Sequence, residues 1–275
     1  MTASRRIDHL VLAVHDLDAA AAWYERIGFQ VGTRNRHPWG TENRLVQFAS
    51  SFLELITVGE ATDIPPHAPN FFSFGAFVRD FLRRREGLAM FVLDSTDAAG
   101  DAATFAEQGI GDFRPFDFER SGRRADGTPT RVAFSLAFAV DDRLPEAAFF
   151  VCQQHYPEAF WSPSLQRHPN GATGVTEVTL DVGDPAEVRR FLQSFTGTPP
   201  AEDGRRFVLA GRGQLRLATE SGSNRFTGYQ VGVPDLDAVA ARLSAAGVQF
   251  RQASDRVTVA SHHGFGARLA FELGR

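Results

Sequence analysis

One frame, an aspartate with a glycine 12 or 13 positions after it, recurs four times along the chain. Asp16 follows the short apolar run Leu10 to Val14, and Gly28 lies 12 positions after it. Asp235 follows Tyr229 to Val233, and Gly247 again lies 12 positions on. Asp97, after Met90 to Leu93, is matched by Gly109, 12 positions on, and Asp184, after Val178 to Val182, by Gly197, 13 positions on. Each frame has a local physical reading. An aspartate side chain accepts from the orphan N–H groups of a first helical turn. A glycine supplies the left-handed conformation that ends the helix. Between them Ala20, Trp23, Tyr24 and Ile27 in the first copy, and Val239, Leu243 and Ala246 in the last, keep helical spacing. Short strand-like segments follow every glycine, beginning with Phe29 to Thr33, Arg44 to Ala49 and Phe52 to Val58.

The pattern predicts an α+β fold of four βαβββ units in two pairs. The stretch Tyr156 to Gly174, with Pro157, Pro163, Pro169 and Gly171, marks the boundary. Residues 1–157 are thus expected to form one domain and residues 172–275 a shorter second one. In the connection between the first two units, Phe74, Phe77, Val78, Phe81 and Leu82 have the spacing of a packing helix.

Composition removes several functions. All 29 basic residues are arginine, so chemistry that needs a lysine amine, a Schiff base or a P-loop, is excluded. Net charge is -4. The basic clusters Arg83–Arg85 and Arg123–Arg124 are short, and no nucleic-acid partner is expected. Cys152 is the one cysteine, so no intrachain disulfide forms. Its position after Ala147 to Val151 reads as core. No run approaches the roughly 20 apolar residues of a membrane span, and a cytoplasmic location with no membrane partner is expected.

The N-terminal stretch is the most specific. Ile7-Asp8-His9-Leu10-Val11-Leu12-Ala13-Val14, Asp16-Leu17-Asp18, His37-Pro38-Trp39-Gly40-Thr41-Glu42-Asn43-Arg44 and Leu53-Glu54-Leu55-Ile56 together resemble the glyoxalase-like branch of the vicinal oxygen chelate superfamily. That group includes glyoxalase I, extradiol dioxygenases, epimerases and metal-free bleomycin-binding proteins. The resemblance implies that the units pair into two half-open mixed β-barrels flanked by helices. It also implies metal ligands on the first and last strands of a unit, here His9 and Glu54.

His9 lies in a strand whose other residues are nearly all aliphatic, and Glu54 is the lone ionisable group of its strand. A buried carboxylate is costly unless it is paired or binds a cation. Imidazole and carboxylate together suit a divalent metal such as Zn, Fe, Mn or Ni; a buried His–Glu hydrogen bond without metal is the alternative. The positions equivalent to His9 in the other units are Met90, Glu177 and Gly228, so the second unit lacks a strand-one ligand. His155, after Gln153 and Gln154, is the preferred third ligand. Glu177 and Arg216 are expected to form a structural ion pair in the second half. His262, His263 and Glu272 leave a second metal set open, with at most one of the adjacent histidines able to join it. Glu54 and His37 are the candidate catalytic groups, and Trp39, Asn43 and Arg44 the candidate substrate-binding groups on the barrel rim.

The leading expectation is a metal-dependent enzyme of lyase or isomerase type acting on a small oxygenated organic molecule. The alternatives are an extradiol-type dioxygenase and a metal-free binding protein of the bleomycin-resistance type. A monomer or a homodimer is compatible with four units in one chain.

Overall fold

The structure is a computed structural model that describes residues 5–59, 63–123 and 129–274. Arg124 of the Arg123–Arg124 pair lies outside these.

The first unit runs β1 (Ile7–Ala13), α1 (Leu17–Arg26), β2 (Asn35–Arg36), β3 (Thr41–Gln47) and β4 (Phe52–Val58). A packing helix, α2 (Phe74–Leu82), leads to the second unit. That unit consists of β5 (Gly87–Asp94), α3 (Ala98–Gln108), β6 (Phe116–Arg123), β7 (Pro129–Ala139) and β8 (Ala148–Gln154). A single turn, α4 (Pro157–Phe160), opens the connection to the second half. The third unit is β9 (Gly174–Asp181), α5 (Pro185–Thr196), β10 (Arg206–Val208) and β11 (Gln214–Ala218). The fourth is β12 (Arg225–Val233), α6 (Leu236–Ala245), β13 (Arg251–Gln252), β14 (Arg256–Val259) and β15 (Arg268–Leu273).

Two mixed sheets result. The first is a curled half-barrel in the order β2-β3-β4-β1-β5-β8-β7-β6. The second is an open sheet in the order β10-β11-β9-β12-β15-β14-β13. In each, the first strands of the two units pair antiparallel at the centre, β1 with β5 and β9 with β12. The caps are where the spacing put them. Asp16, Asp97, Asp184 and Asp235 are the four N-caps. Gly109 and Gly197 sit at the helix ends with φ of 68° and 70°. Gly28 and Gly247 follow the cap residue by one position and also have positive φ.

The strand expected over Phe29 to Thr33 is not in the ladder; only Asn35 and Arg36 pair with β3. Phe29 and Val31 are instead buried in the core. One backbone bond, from Gly32 N–H to the Leu45 carbonyl of β3 at 2.8 Å, ties the segment to the sheet, and burial of the two side chains holds the rest.

Strand alternation divides the core in two. Leu10, Leu12, Phe91, Phe149 and Val151 face outward from the first sheet. They join helix residues such as Phe191 and Phe195, and second-sheet residues such as Val178, Phe226 and Val231, in one continuous apolar cluster. Phe149 stands at its centre, with ring centroids 4.9 Å from Phe191, 5.3 Å from Phe195 and 5.3 Å from Phe226. The other cluster fills the concave face of the first sheet and is covered by α2. A Cβ at Gly75 of α2 would collide with the Trp39 carbonyl oxygen, so only glycine lets the helix close over that loop.

The concave side of the second sheet is polar. Arg216 Nε donates to Glu177 Oε1 at 2.7 Å, so the expected ion pair is present. Gln214 and Gln230 donate to the same carboxylate at 2.7 and 2.5 Å. Glu177 is therefore buried with its acceptors filled, which is the condition for burying a charge. His262 and His263 lie in a tight 3₁₀ turn, not in a strand as expected, so two-residue alternation does not govern their side chains. Among the described residues no helix is long and apolar enough to cross a membrane.

Candidate active site

The concave face of the first sheet holds a cavity of about 50 Å³. Alternation supplies its walls. His9 comes from β1, Asn43 and Leu45 from β3, Phe52 and Glu54 from β4, and Phe150 and Cys152 from β8. The two edges of the half-barrel close it through aromatic contacts. Trp39, in the loop between β2 and β3, lies 5.0 Å from Phe116 and 4.8 Å from Phe118 of β6. The connection to the second half contributes as well. Gln47 donates to the Phe160 carbonyl at 2.9 Å and accepts from Ser162 N at 2.9 Å, which seats the Phe160 ring in the wall.

His9 and Glu54 converge, but not across the barrel. β1 and β4 are adjacent parallel strands, with His9 opposite Phe52 and Val11 opposite Glu54. The two residues are therefore diagonal neighbours on one face. His9 Nε2 lies 3.8 Å from Glu54 Oε2, and both side chains are almost fully buried. The imidazole is stacked on Phe52 at 4.2 Å and meets the edge of Phe150 at 5.4 Å.

Asp8 completes the row. The β1–β5 register slips between Ile7 and His9, so that two steps on β1 face one on β5. This bulge breaks the alternation that would turn Asp8 away from its neighbour. Asp8 Oδ1 lies 2.6 Å from His9 Nδ1, and Gln154 Nε2 donates to Asp8 Oδ2 at 2.8 Å. A carboxylate on Nδ1–H fixes the tautomer, so Nε2 presents its lone pair to the space in front of Glu54.

On the other side Asn43 Nδ2 donates to Glu54 Oε1 at 2.5 Å, and Asn35 Nδ2 donates to Asn43 Oδ1 at 2.9 Å. Burial raises the Glu54 carboxyl above the usual carboxylate range, while His9, Asn43 and Arg120 oppose that rise. His37 Nδ1 is 2.9 Å from Thr41 Oγ1, and its ring is stacked on Trp39 at 4.4 Å. Burial, aided by the Arg120 charge, pushes the His37 ring down to about 3.

That shift carries a prediction. In the native protein the His37 ring is expected to stay neutral at every pH down to about 3, read by NMR titration with a His37→Asn variant for assignment. Because the folded value is depressed, the ring's contribution to stability is present above the unperturbed value of about 6.5 and is lost as pH falls toward the folded one. A midpoint near the unperturbed value would show that the cavity is wet. On that expectation His37 serves the cavity at neutral pH as an uncharged hydrogen-bonding and stacking group.

The remaining expected residues stand elsewhere. Arg44 alternates to the outer face of β3, where Nη2 donates to Asp18 Oδ1 at 2.9 Å. His155 is exposed at the end of β8, with Nε2 2.8 Å from Ser135 Oγ, and does not reach His9 or Glu54. Trp39 is a cavity wall, and its indole N–H is buried without a hydrogen-bond partner. Arg120 and Asp8 were not singled out from the sequence. A bulge leaves no mark in composition, and Arg120 lies in an irregularly patterned edge strand. Its one sequence signal is the alternation Phe116, Phe118, Arg120.

The donor set does not make a complete metal centre. Open catalytic sites hold a divalent ion with three protein ligands. Among the described residues no group of three or more His, Cys, Asp or Glu side chains is arranged to hold a metal ion. The second unit contributes Phe150 and Cys152 to the cavity wall, and burial pushes the Cys152 thiol up.

The chain matches the family model described as "Glyoxalase-like domain" over residues 7–196. No curated protein matches it. A hypothetical protein from Staphylococcus aureus has the same fold, with a TM-score of 0.70 and 13% identity over 98% of this chain and 100% of that one. A mutant of 4-hydroxymandelate synthase from Streptomyces coelicolor gives 0.60 and 13%, over 99% and 94%. An extradiol ring-cleaving dioxygenase from B. fuscum gives 0.56 and 12%, over 99% and 72%. At these identities the likeness extends to the fold alone.

Proposed function

This chain belongs to the glyoxalase-like domain family of the vicinal oxygen chelate superfamily, and from that premise we propose that it is an isomerase-type enzyme that moves a proton on a small carbonyl compound. The observation that carries the reading is the buried row Asp8–His9–Glu54, at 2.6 and 3.8 Å, opening on an apolar cavity.

In a low-dielectric site the neutral pair, imidazole and carboxylic acid, is favoured over the ion pair. The raised Glu54 value supports that form. His9 Nε2 then takes a proton from the carbon next to the carbonyl, and Asp8 stabilises the imidazolium that forms. The C–H electron pair becomes the enol double bond, and Glu54 gives its proton to the carbonyl oxygen. The reverse transfers, at the other carbon or the other face, complete an isomerisation with no oxidant or reductant. Asn43 keeps Glu54 turned toward the cavity throughout.

The test is solvent exchange. Small ketones and aldehydes incubated with the protein in D₂O are expected to exchange their acidic C–H, read by proton NMR, and a His9→Asn variant is expected to lose that exchange. Binding without exchange would favour the metal-free binding protein. A cavity of about 50 Å³ argues against that alternative, since drug-sized ligands need some 300–1,000 Å³.

One observation favours a second reading, the metal-dependent enzyme. Asp8 on His9 Nδ1 is the support that metal-ligating histidines receive. His9 and Glu54 would be the protein ligands, with the rest of the coordination coming from substrate or water. Elemental analysis of protein purified without chelator decides. Stoichiometric metal that disappears in His9→Ala would replace the proton-transfer reading with this one; a ratio near zero is the expected result.

A further inference from the structure

The cavity contains one guanidinium, that of Arg120, which the proton-transfer chemistry does not use. Phe116, Phe118 and Arg120 alternate along β6, and Phe118 and Arg120 line the same cavity as His9 and Glu54. The walls around the guanidinium are largely aromatic, with Phe118, Phe134 and Phe160 among them. Most arginines of the first half have a carboxylate in contact. Arg34 and Arg44 pair with Asp18, Arg79 with Asp80 and Arg131 with Glu119. Among the described residues none pairs with Arg120 at ion-pair distance. Glu54 feels the Arg120 charge but lies beyond ion-pair distance from it. A guanidinium held in an apolar wall without a counter-ion is costly. Its planar fork matches a carboxylate. Beside the half-buried Arg120, the Trp39 indole N–H is a buried donor without a partner in the wall of the cavity.

We propose that Arg120 recognises a carboxylate, so that the substrate is a small keto acid whose acidic C–H sits between His9 and Glu54 while its carboxylate meets the guanidinium. This rests on the proton-transfer reading for the reaction, but the anion recognition is measured separately. The small cavity limits the acid to a few carbons beyond the two functional groups.

The experiment compares each acid with its own amide. Pyruvate, acetoacetate and levulinate move the carboxylate stepwise away from the carbonyl, and their amides keep the shape without the charge. Binding is read by NMR line-broadening and calorimetry on the full chain. For at least one chain length the acid is expected to bind about ten- to a hundred-fold more tightly than its amide, the range for a hydrogen-bonded charged group. An Arg120→Met variant is expected to abolish that preference, chiefly by weakening acid binding; Arg120→Lys restores part of it. Melting curves confirm that the variants are folded, and the acid–amide comparison on the wild type needs no variant. Equal binding of acids and amides, a preference that survives Arg120→Met, or no binding by any acid would overturn the proposal. An Arg120-dependent preference without C–H exchange would leave it standing and remove the proton-transfer reading. Exchange without the preference would do the reverse.

Discussion

Replacing Glu54 by glutamine is expected to lower the enzyme-dependent C–H exchange rate by about 10²–10⁴-fold, the usual contribution of a positioned acid or base. The variant isolates chemistry from folding. Glutamine keeps an acceptor oxygen for Asn43 Nδ2, which now donates to Glu54 Oε1 at 2.5 Å. Stability is not expected to suffer. Burial raises the folded Glu54 value, so the protonated form is the one the fold favours. The contribution from that form is present below the unfolded carboxylate value and lost as pH rises through the folded one. A neutral amide avoids that loss, and Glu54→Gln is expected to be at least as stable as the wild type at high pH.

The same shift sets the sign of the pH profile. As the acid, Glu54 is active while protonated, and burial extends that range upward. Exchange is expected to fall as pH rises through the elevated value, and Glu54→Gln is expected to lack that fall. Unchanged exchange in Glu54→Gln would remove Glu54 from the chemistry and leave Asp8 and His9 to be explained alone.

Replacing Phe149 by alanine is expected to destabilise the protein by about 3–5 kcal/mol, the range for truncating a fully buried phenylalanine. Phe149 is fully buried between the sheets, and its ring meets Phe191, Phe195 and Phe226 of the second half as well as Phe91 of the first. The loss combines the transfer of the ring with the cavity left behind, because both sheets are fixed by their own ladders and close over the gap only in part. Because one apolar cluster spans both sheets, denaturant unfolding is expected to remain a single transition with a lowered midpoint. Two transitions, with only one displaced by Phe149→Ala, would show that the sheets unfold independently. Activity in the folded fraction should persist, since Phe149 faces away from the cavity that Phe150 lines.

The parts of this protein legible from sequence are those fixed by local chemistry. An aspartate followed by a glycine 12 or 13 residues on specifies a capped helix because both caps act within one turn of the backbone. Four such frames announced four units, and all four aspartates are N-caps. Period-two alternation placed His9 and Glu54 among aliphatic neighbours, and a helix over Phe74 to Leu82 followed from spacing alone. The same reasoning was silent wherever a side chain's direction depends on a neighbouring strand. Asn43 and Arg44 are adjacent in sequence, yet one holds Glu54 and the other pairs with Asp18 on the outer face. The register of β3 decides between them.

What the sequence determined by itself is the unit, its number and the identity of two buried ionisable groups, because capping and alternation act over a few residues. What only the tertiary structure decided is their company. A bulge in β1 brings Asp8 onto His9, the curl of the sheet brings Trp39 against β6, and the edge strand carries Arg120 into the cavity. Each depends on pairing between segments far apart in the chain, whose register is set by the packing of the whole sheet and not by any local pattern.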